Sequence, residues 1–242
     1  MYPLPHTLAE AAVADATSAA VPAAAPFATH VATQRLAGVD VADTPIVERA
    51  FCFAQAQYEP WLFNHVMRSW LFATLLGQRE GLAHDAEVLA VITLLHDLGL
   101  AEAFEGPLRF EVEGANAARD FAQGAGLDAR RCQLVWDGVA LNSTPSIARY
   151  KEVEVALSQR GVGIDWGGWE HEAIEPARMQ AILAAYPRLA MKQCFSHAVC
   201  GIAQSRPQTT YDNFARDFGE RFVTGYAAPS SVDALFGAPF DE

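Results

Sequence analysis

The chain has 242 residues, room for one large domain or two small ones, and 51% of them are hydrophobic, enough for a sizeable core. Seventeen Lys and Arg against 29 Asp and Glu give a formal charge of −12, which argues against the clustered basic face that nucleic-acid binding requires. No uncharged apolar run reaches the roughly 18 residues of a membrane span. The four cysteines (Cys52, Cys132, Cys194, Cys200) form no CxxC and no framework spacing, as expected of reduced thiols in a cytoplasmic protein. The Ala-rich start has no Lys or Arg before Arg35 and carries Glu10 and Asp15, so neither a secretory signal nor a mitochondrial presequence is expected.

In chain order, residues 1–43 read as an Ala/Pro-rich arm. Thr7 and Glu10 make a capping-box pattern for a helix over about 8–20, stopped by Pro22 and Pro26. The arm lies on the domain or a neighbouring subunit, or is a mobile tail. Thr44-Pro45 starts a helix with Ile46, Phe51, Phe53 and Ala54 on its apolar side. Pro60 starts the next, in which Trp61, His65, Arg68 and Phe72 share one face. Asp85 caps a helix carrying His96 and Asp97, and Gly99 marks its end. Further helices are expected over 109–123, from Asp128 through Asn142, from Thr144-Pro145 through Gln159, over 176–185, over 187–204 and over about 211–224. The segment 161–169, GVGIDWGGW, reads as a Gly-rich turn carrying Asp165. No useful stretch alternates with period two, so the class is all-α. The expected division is an arm over 1–43, a helical bundle over 44–226 and a tail over 227–242.

The stretch VITLLHDLG at 91–99 drives a His-Asp pair into an apolar interior. Asp is rarely buried there unless paired or bound to a metal. The bland alternative is an Asp at a helix end beside a core His. Together with His65 and Asp165, His96 and Asp97 make two imidazoles and two carboxylates. That N/O set suits one divalent ion, zinc first, with iron or manganese as alternatives, and leaves positions open for water.

The blocks NHVMR at 64–68 and LHDLG at 95–99, followed by Asp165, resemble the HD-domain superfamily of metal-dependent hydrolases. More narrowly, NHxxR, LLHD, RFExxGA at 109–115, the GVGID segment and Tyr186-Pro187-Arg188 resemble cyanamide hydratase-like HD proteins, over about residues 45–220. The resemblance implies an HD-type helical bundle with His65, His96, Asp97 and Asp165 as metal ligands. It implies Asp97, Glu111, Arg68 and Asn142 as candidates for catalysis or substrate contact. Relatives often carry a further His in the helix before the fourth ligand, where this chain has Asn142; Asn is a poor zinc ligand, which argues against a second metal.

Each supporting residue has a plainer alternative: a surface ion pair for Arg68, a solvated helix-start acid for Glu111, a helix C-cap for Asn142. Asp137 is expected to pair with a surface Arg and His171 to be exposed. The tryptophans read as core, with Trp61 and Trp166 flanking the ligands. Three functions follow. The first is a hydratase or hydrolase adding activated water to a small nitrile-like or amide-like substrate. The second is a phosphohydrolase acting on a nucleotide or phosphomonoester, for which only Arg68 and Arg109 stand near the motifs. The third is a metal-binding scaffold with little activity. The expected partner is a small molecule, with no nucleic acid and no membrane, and homo-oligomerisation is left open.

Overall fold

The structure, a computed structural model, describes residues 31–240; the helix expected over about 8–20 lies outside them. It is all-α apart from one hairpin. That hairpin joins β1 (Thr33–Leu36) to β2 (Val39–Ala42) in antiparallel register, Thr33 opposite Ala42. The two turn residues, Ala37 and Gly38, both have positive φ, 46° and 83°, which matches the twist of the flanking strands. Four-residue strands are too short to register as a period-two pattern, so the hairpin was not expected. Val39, Val41 and Ala42 are buried in the core, and Gln78 Nε2 donates to Asp40 O at 2.6 Å. The boundary expected at residue 43 therefore falls inside the packed unit.

The helices are α1 (Pro45–Gln57), α2 (Pro60–Glu80), α3 (Ala86–Leu95), α4 (Phe110–Gly124), α5 (Ala129–Ala140), α6 (Pro145–Ala148), α7 (Val153–Gly167), α8 (Pro176–Ala185), α9 (Met191–Ser205), α10 (Ala215–Phe222) and α11 (Ser231–Phe236). Local chemistry sets the early starts. Thr44 Oγ1 accepts from Val47 N–H ahead of α1, and Asp85 accepts from the N–H groups of Glu87 and Val88 ahead of α3. Asp128 does the same for α5. From Val88 to Leu95 every residue of α3 is buried, so α3 is the central helix, packed among α1, α2, α5 and α7. No helix among the described residues is long and apolar enough to cross a membrane.

Several expected boundaries move, the helix expected over about 211–224 shortening to α10. The segment expected from Thr144 through Gln159 splits into α6 and α7. The expected start at Pro187 moves to Met191, because Leu189 and Ala190 take positive φ, 48° and 58°. Most consequentially, the Gly-rich stretch 161–167 is not a turn but the end of α7, and Asp165 sits in its last turn. Gly161 serves packing there: a Cβ would collide with Ser69 O and lie 2.7 Å from Ala73 Cβ, so its absence lets α7 press directly on the α2 backbone. The residue that ends the helix is Gly168, at φ 72°, whose N–H returns to Ile164 O. The tail expected over 227–242 contains the short α11.

Candidate metal centre

Two helices deliver the central residues. His65 projects from α2. His96 follows the last residue of α3, and Asp97, at φ −106° and ψ 17°, begins the tight turn Leu98–Leu100. Gly99 lies against the carbonyl of Phe110 at the start of α4, where a Cβ would overlap it. The chain can thus leave α3 against α4 while its His-Asp pair turns back toward α2.

His65, His96 and Asp97 each offer a ligand atom, and these atoms lie within 4.8 Å of one another. The two Nε2 atoms are 3.2 Å apart, and Asp97 Oδ2 is 3.2 Å from His96 Nε2 and 3.5 Å from His65 Nε2. All three side chains are almost fully buried. The far nitrogens fix the tautomers. His96 Nδ1 lies 2.8 Å from Thr93 O, and His65 Nδ1 lies 2.6 Å from Asp165 Oδ2. A carbonyl and a carboxylate can only accept, so each Nδ1 carries the hydrogen and each Nε2 presents a lone pair. Two lone pairs then face each other beside a buried carboxylate oxygen, Asp97 Oδ2, that has no hydrogen-bond partner among the described residues. That arrangement fits a cation.

Without a metal, the buried groups shift one another's ionisation. Burial opposes the charged form of His96, but the adjacent Asp97 carboxylate outweighs it and raises the imidazole above its ordinary value. For Asp97, burial works against the carboxylate, yet His96 holds it below its usual range. Burial pushes His65 down against the pull of Asp165.

The structure sets Asp165 behind His65 rather than in the three-residue cluster. Arg68 grips it with Nε to Oδ1 at 2.6 Å and Nη2 to Oδ2 at 2.8 Å, and Arg188 Nη1 donates to Oδ1 at 3.0 Å. Burial opposes its charge, but His65 and Arg68 hold the carboxyl far below its usual range. Arg68 is itself fully buried. Its remaining donors go to the carbonyls of Tyr186 and Pro187 and to Met191 Sδ, so it has none for a substrate.

The other expected site residues divide. Asn142, one residue beyond the C-cap of α5, lines the pocket in front of the cluster. Its amide donates to His96 O at 3.0 Å and to Val139 O at 2.8 Å. It therefore helps to terminate its helix and steadies the His96 backbone, and with both N–H groups used it can only accept from a ligand. Glu111 is fully buried, not solvated. It accepts from Arg109 Nη2 at 3.0 Å and from Ser143 Oγ at 2.7 Å, and it does not line the pocket. Asp137 pairs with Lys151 rather than an Arg, and His171 is exposed as expected.

The pocket opens from the cluster between walls that the sequence did not place: Phe110, Ser143, Gln159, Trp169, Phe195 and Phe214 join the expected Trp166. Trp61 does not line it; buried at the start of α2, it stacks edge-on against Phe195. No Lys or Arg lines this pocket. Arg188 was visible only as part of the Tyr186-Pro187-Arg188 block, and nothing in the sequence set Ser143 or Gln159 apart.

With this geometry in view, the family comparison is direct. The family model for the HD domain matches residues 62–183, half of the chain, and spans His65, His96, Asp97 and Asp165. The chain belongs to the HD domain family. Members are generally metal-dependent hydrolases that bind divalent metals, and His65, His96 and Asp97 lie close enough together to hold such an ion. Among curated proteins none matches the chain.

Proposed function

We propose that this HD protein is a cyanamide hydratase-like enzyme that adds water to a small, uncharged nitrile-like or amide-like substrate. The observation that carries this reading is the pocket lining: aromatic walls, a few neutral polar groups, and no Lys or Arg. A phosphate ester needs cationic donors. The nearby arginines are engaged elsewhere, Arg68 and Arg188 by Asp165 and Arg109 by Glu111 and Asp212. The phosphohydrolase reading is correspondingly weaker. The scaffold reading rested on Asn142, which here has a structural task and an acceptor left over.

His65, His96 and Asp97 would hold the ion, with Asp165, Arg68 and Arg188 fixing the direction of the His65 ring. A divalent ion bound there supplies Lewis acidity and activates water near neutral pH. The aromatic walls hold the substrate and exclude bulk water. In hydration of a nitrile the water oxygen bonds to carbon, both carbon–nitrogen π bonds are lost as one carbon–oxygen π bond forms, and both water protons end on nitrogen. Among the described lining residues Asp97 is the only acid and would relay a proton; Glu111 would act one residue removed, by fixing Ser143. The test is metal analysis of the purified chain, then turnover of nitriles and amides against phosphomonoesters. One bound divalent ion with nitrile or amide turnover is the expected result. Efficient phosphomonoester or nucleotide turnover with none of the former would replace this reading with the phosphohydrolase.

A further inference from the structure

Gln159 belongs to neither the metal cluster nor the ion pairs behind it. It sits in α7 ahead of Asp165, is only 5% exposed, and lines the pocket with His96, Asp97 and Trp166. Its amide makes no hydrogen bond to any described residue. Its neighbour Ser158 differs: Thr93 Oγ1 donates to Ser158 Oγ at 3.1 Å, away from the pocket lining. Its polar atoms are therefore open to the pocket rather than sealed in the core, and they are free to pair with whatever enters it. The two polar groups across the pocket are more restricted. The Asn142 donors are used by His96 O and Val139 O, and the Ser143 hydroxyl hydrogen goes to Glu111 Oε1. What remains on those residues for a ligand is acceptor oxygen. The rest of the wall is flat and apolar, with Trp166 edge-on to both Trp169 and Phe195.

We propose that Gln159 is the substrate-anchoring residue of this pocket. The ligand class is then a neutral molecule with a flat apolar body and an N–H-bearing amide-type head. The Gln159 amide pairs with the head, Asn142 Oδ1 and Ser143 Oγ accept from its N–H groups, and the aromatic walls take the body. The inference rests on the hydratase/hydrolase reading only in using the same pocket; hydration of a nitrile would leave such an amide head there.

The experiment is calorimetric titration of the full, metal-loaded chain with benzamide, N,N-dimethylbenzamide and phenyl phosphate. Benzamide is expected to bind. The dimethyl compound, which lacks N–H donors, is expected to bind about tenfold more weakly, and so is benzamide to the Gln159→Met variant, at unchanged metal content and melting temperature. Phenyl phosphate is expected to show no comparable binding. Equal affinity for benzamide and its dimethyl derivative, no benzamide binding to the wild type, or an unaltered affinity in a folded Gln159→Met variant would each overturn the anchor. The wild-type probe comparison stands even if that variant does not fold. The two readings also separate: Gln159-dependent binding with no turnover of any amide or nitrile sinks the reaction and keeps the anchor, whereas nitrile turnover with the same KM in Gln159→Met does the reverse.

Discussion

Helices α2 and α7 pack against each other and are joined by two Arg–carboxylate forks of opposite sense. At the pocket end Arg68 of α2 holds Asp165 of α7, with the side chains 0% and 1% exposed. At the outer end Arg160 of α7 holds Glu80 of α2, with Nη2 to Oε1 at 2.6 Å and Nη1 to Oε2 at 2.9 Å, but the side chains are 22% and 35% exposed. The hydrogen bonding is similar and the surroundings are not. In the buried fork no water can replace a lost partner, and Asp165 keeps only Arg188 and His65 if Arg68 is removed. In the outer fork solvent and salt compete for both charges. The buried fork also touches the candidate metal centre, since Asp165 Oδ2 accepts from His65 Nδ1 at 2.6 Å.

Only the pocket end should lose metal when broken. His96→Ala and Asp97→Ala are each expected to abolish divalent-metal binding while the chain stays folded, as read by metal stoichiometry and circular dichroism; retained stoichiometry in both would remove the centre assigned here. Arg68→Ala is the largest expected loss of stability, about 3–5 kcal/mol, because it leaves a buried carboxylate with only His65 and the partly exposed Arg188 as partners. Arg68→Lys should recover little of it, since an ammonium cannot reproduce the two-pronged grip. Asp165→Asn sharpens the comparison. If Asp165 only directs His65, the variant keeps one metal equivalent with affinity reduced about 10–100-fold. Loss of the metal equivalent in a folded variant would make Asp165 a ligand.

Much of this end was legible in the sequence. His65, Arg68, His96 and Asp97 stand in compact local blocks, and helix caps such as Thr44 and Asp85 act within a turn of their own position. What was missed depends on distant packing. The stretch 161–167 reads as a turn because glycine is a poor helix former, yet here Gly161 is required by the Ser69 carbonyl of another helix. Likewise Gln159, Phe195 and Phe214 meet only when α7, α9 and the start of α10 converge, and the hairpin strands were too short to show a period. Gly161→Ala tests the packing argument. Ala is the better helix former, so a propensity account predicts stabilisation. The geometry predicts a loss of about 1–3 kcal/mol from overpacking, measurable by urea denaturation.

The smallest expected effect belongs to the outer fork. Hydrogen bonding from Arg160 holds the Glu80 carboxyl below its ordinary value, with Arg160 also shared by Glu170. The folded chain therefore takes up that proton less readily than the unfolded chain. Its contribution is present above the unfolded pKa, near 4.3, and is lost as pH falls below it toward the lower folded value. Because Glu80 is about one-third exposed, solvent screening limits the contribution to about 0.2–1 kcal/mol. Glu80→Gln should accordingly lower stability by that amount at pH 7 and low salt, by less at high salt, and by next to nothing at pH values well below 4. Denaturation curves of the two proteins at pH 7 and pH 3, each at two salt concentrations, would show this convergence. A Glu80→Gln cost that matched Arg68→Ala, or that persisted unchanged in acid and in salt, would mean that burial is not what separates the two forks.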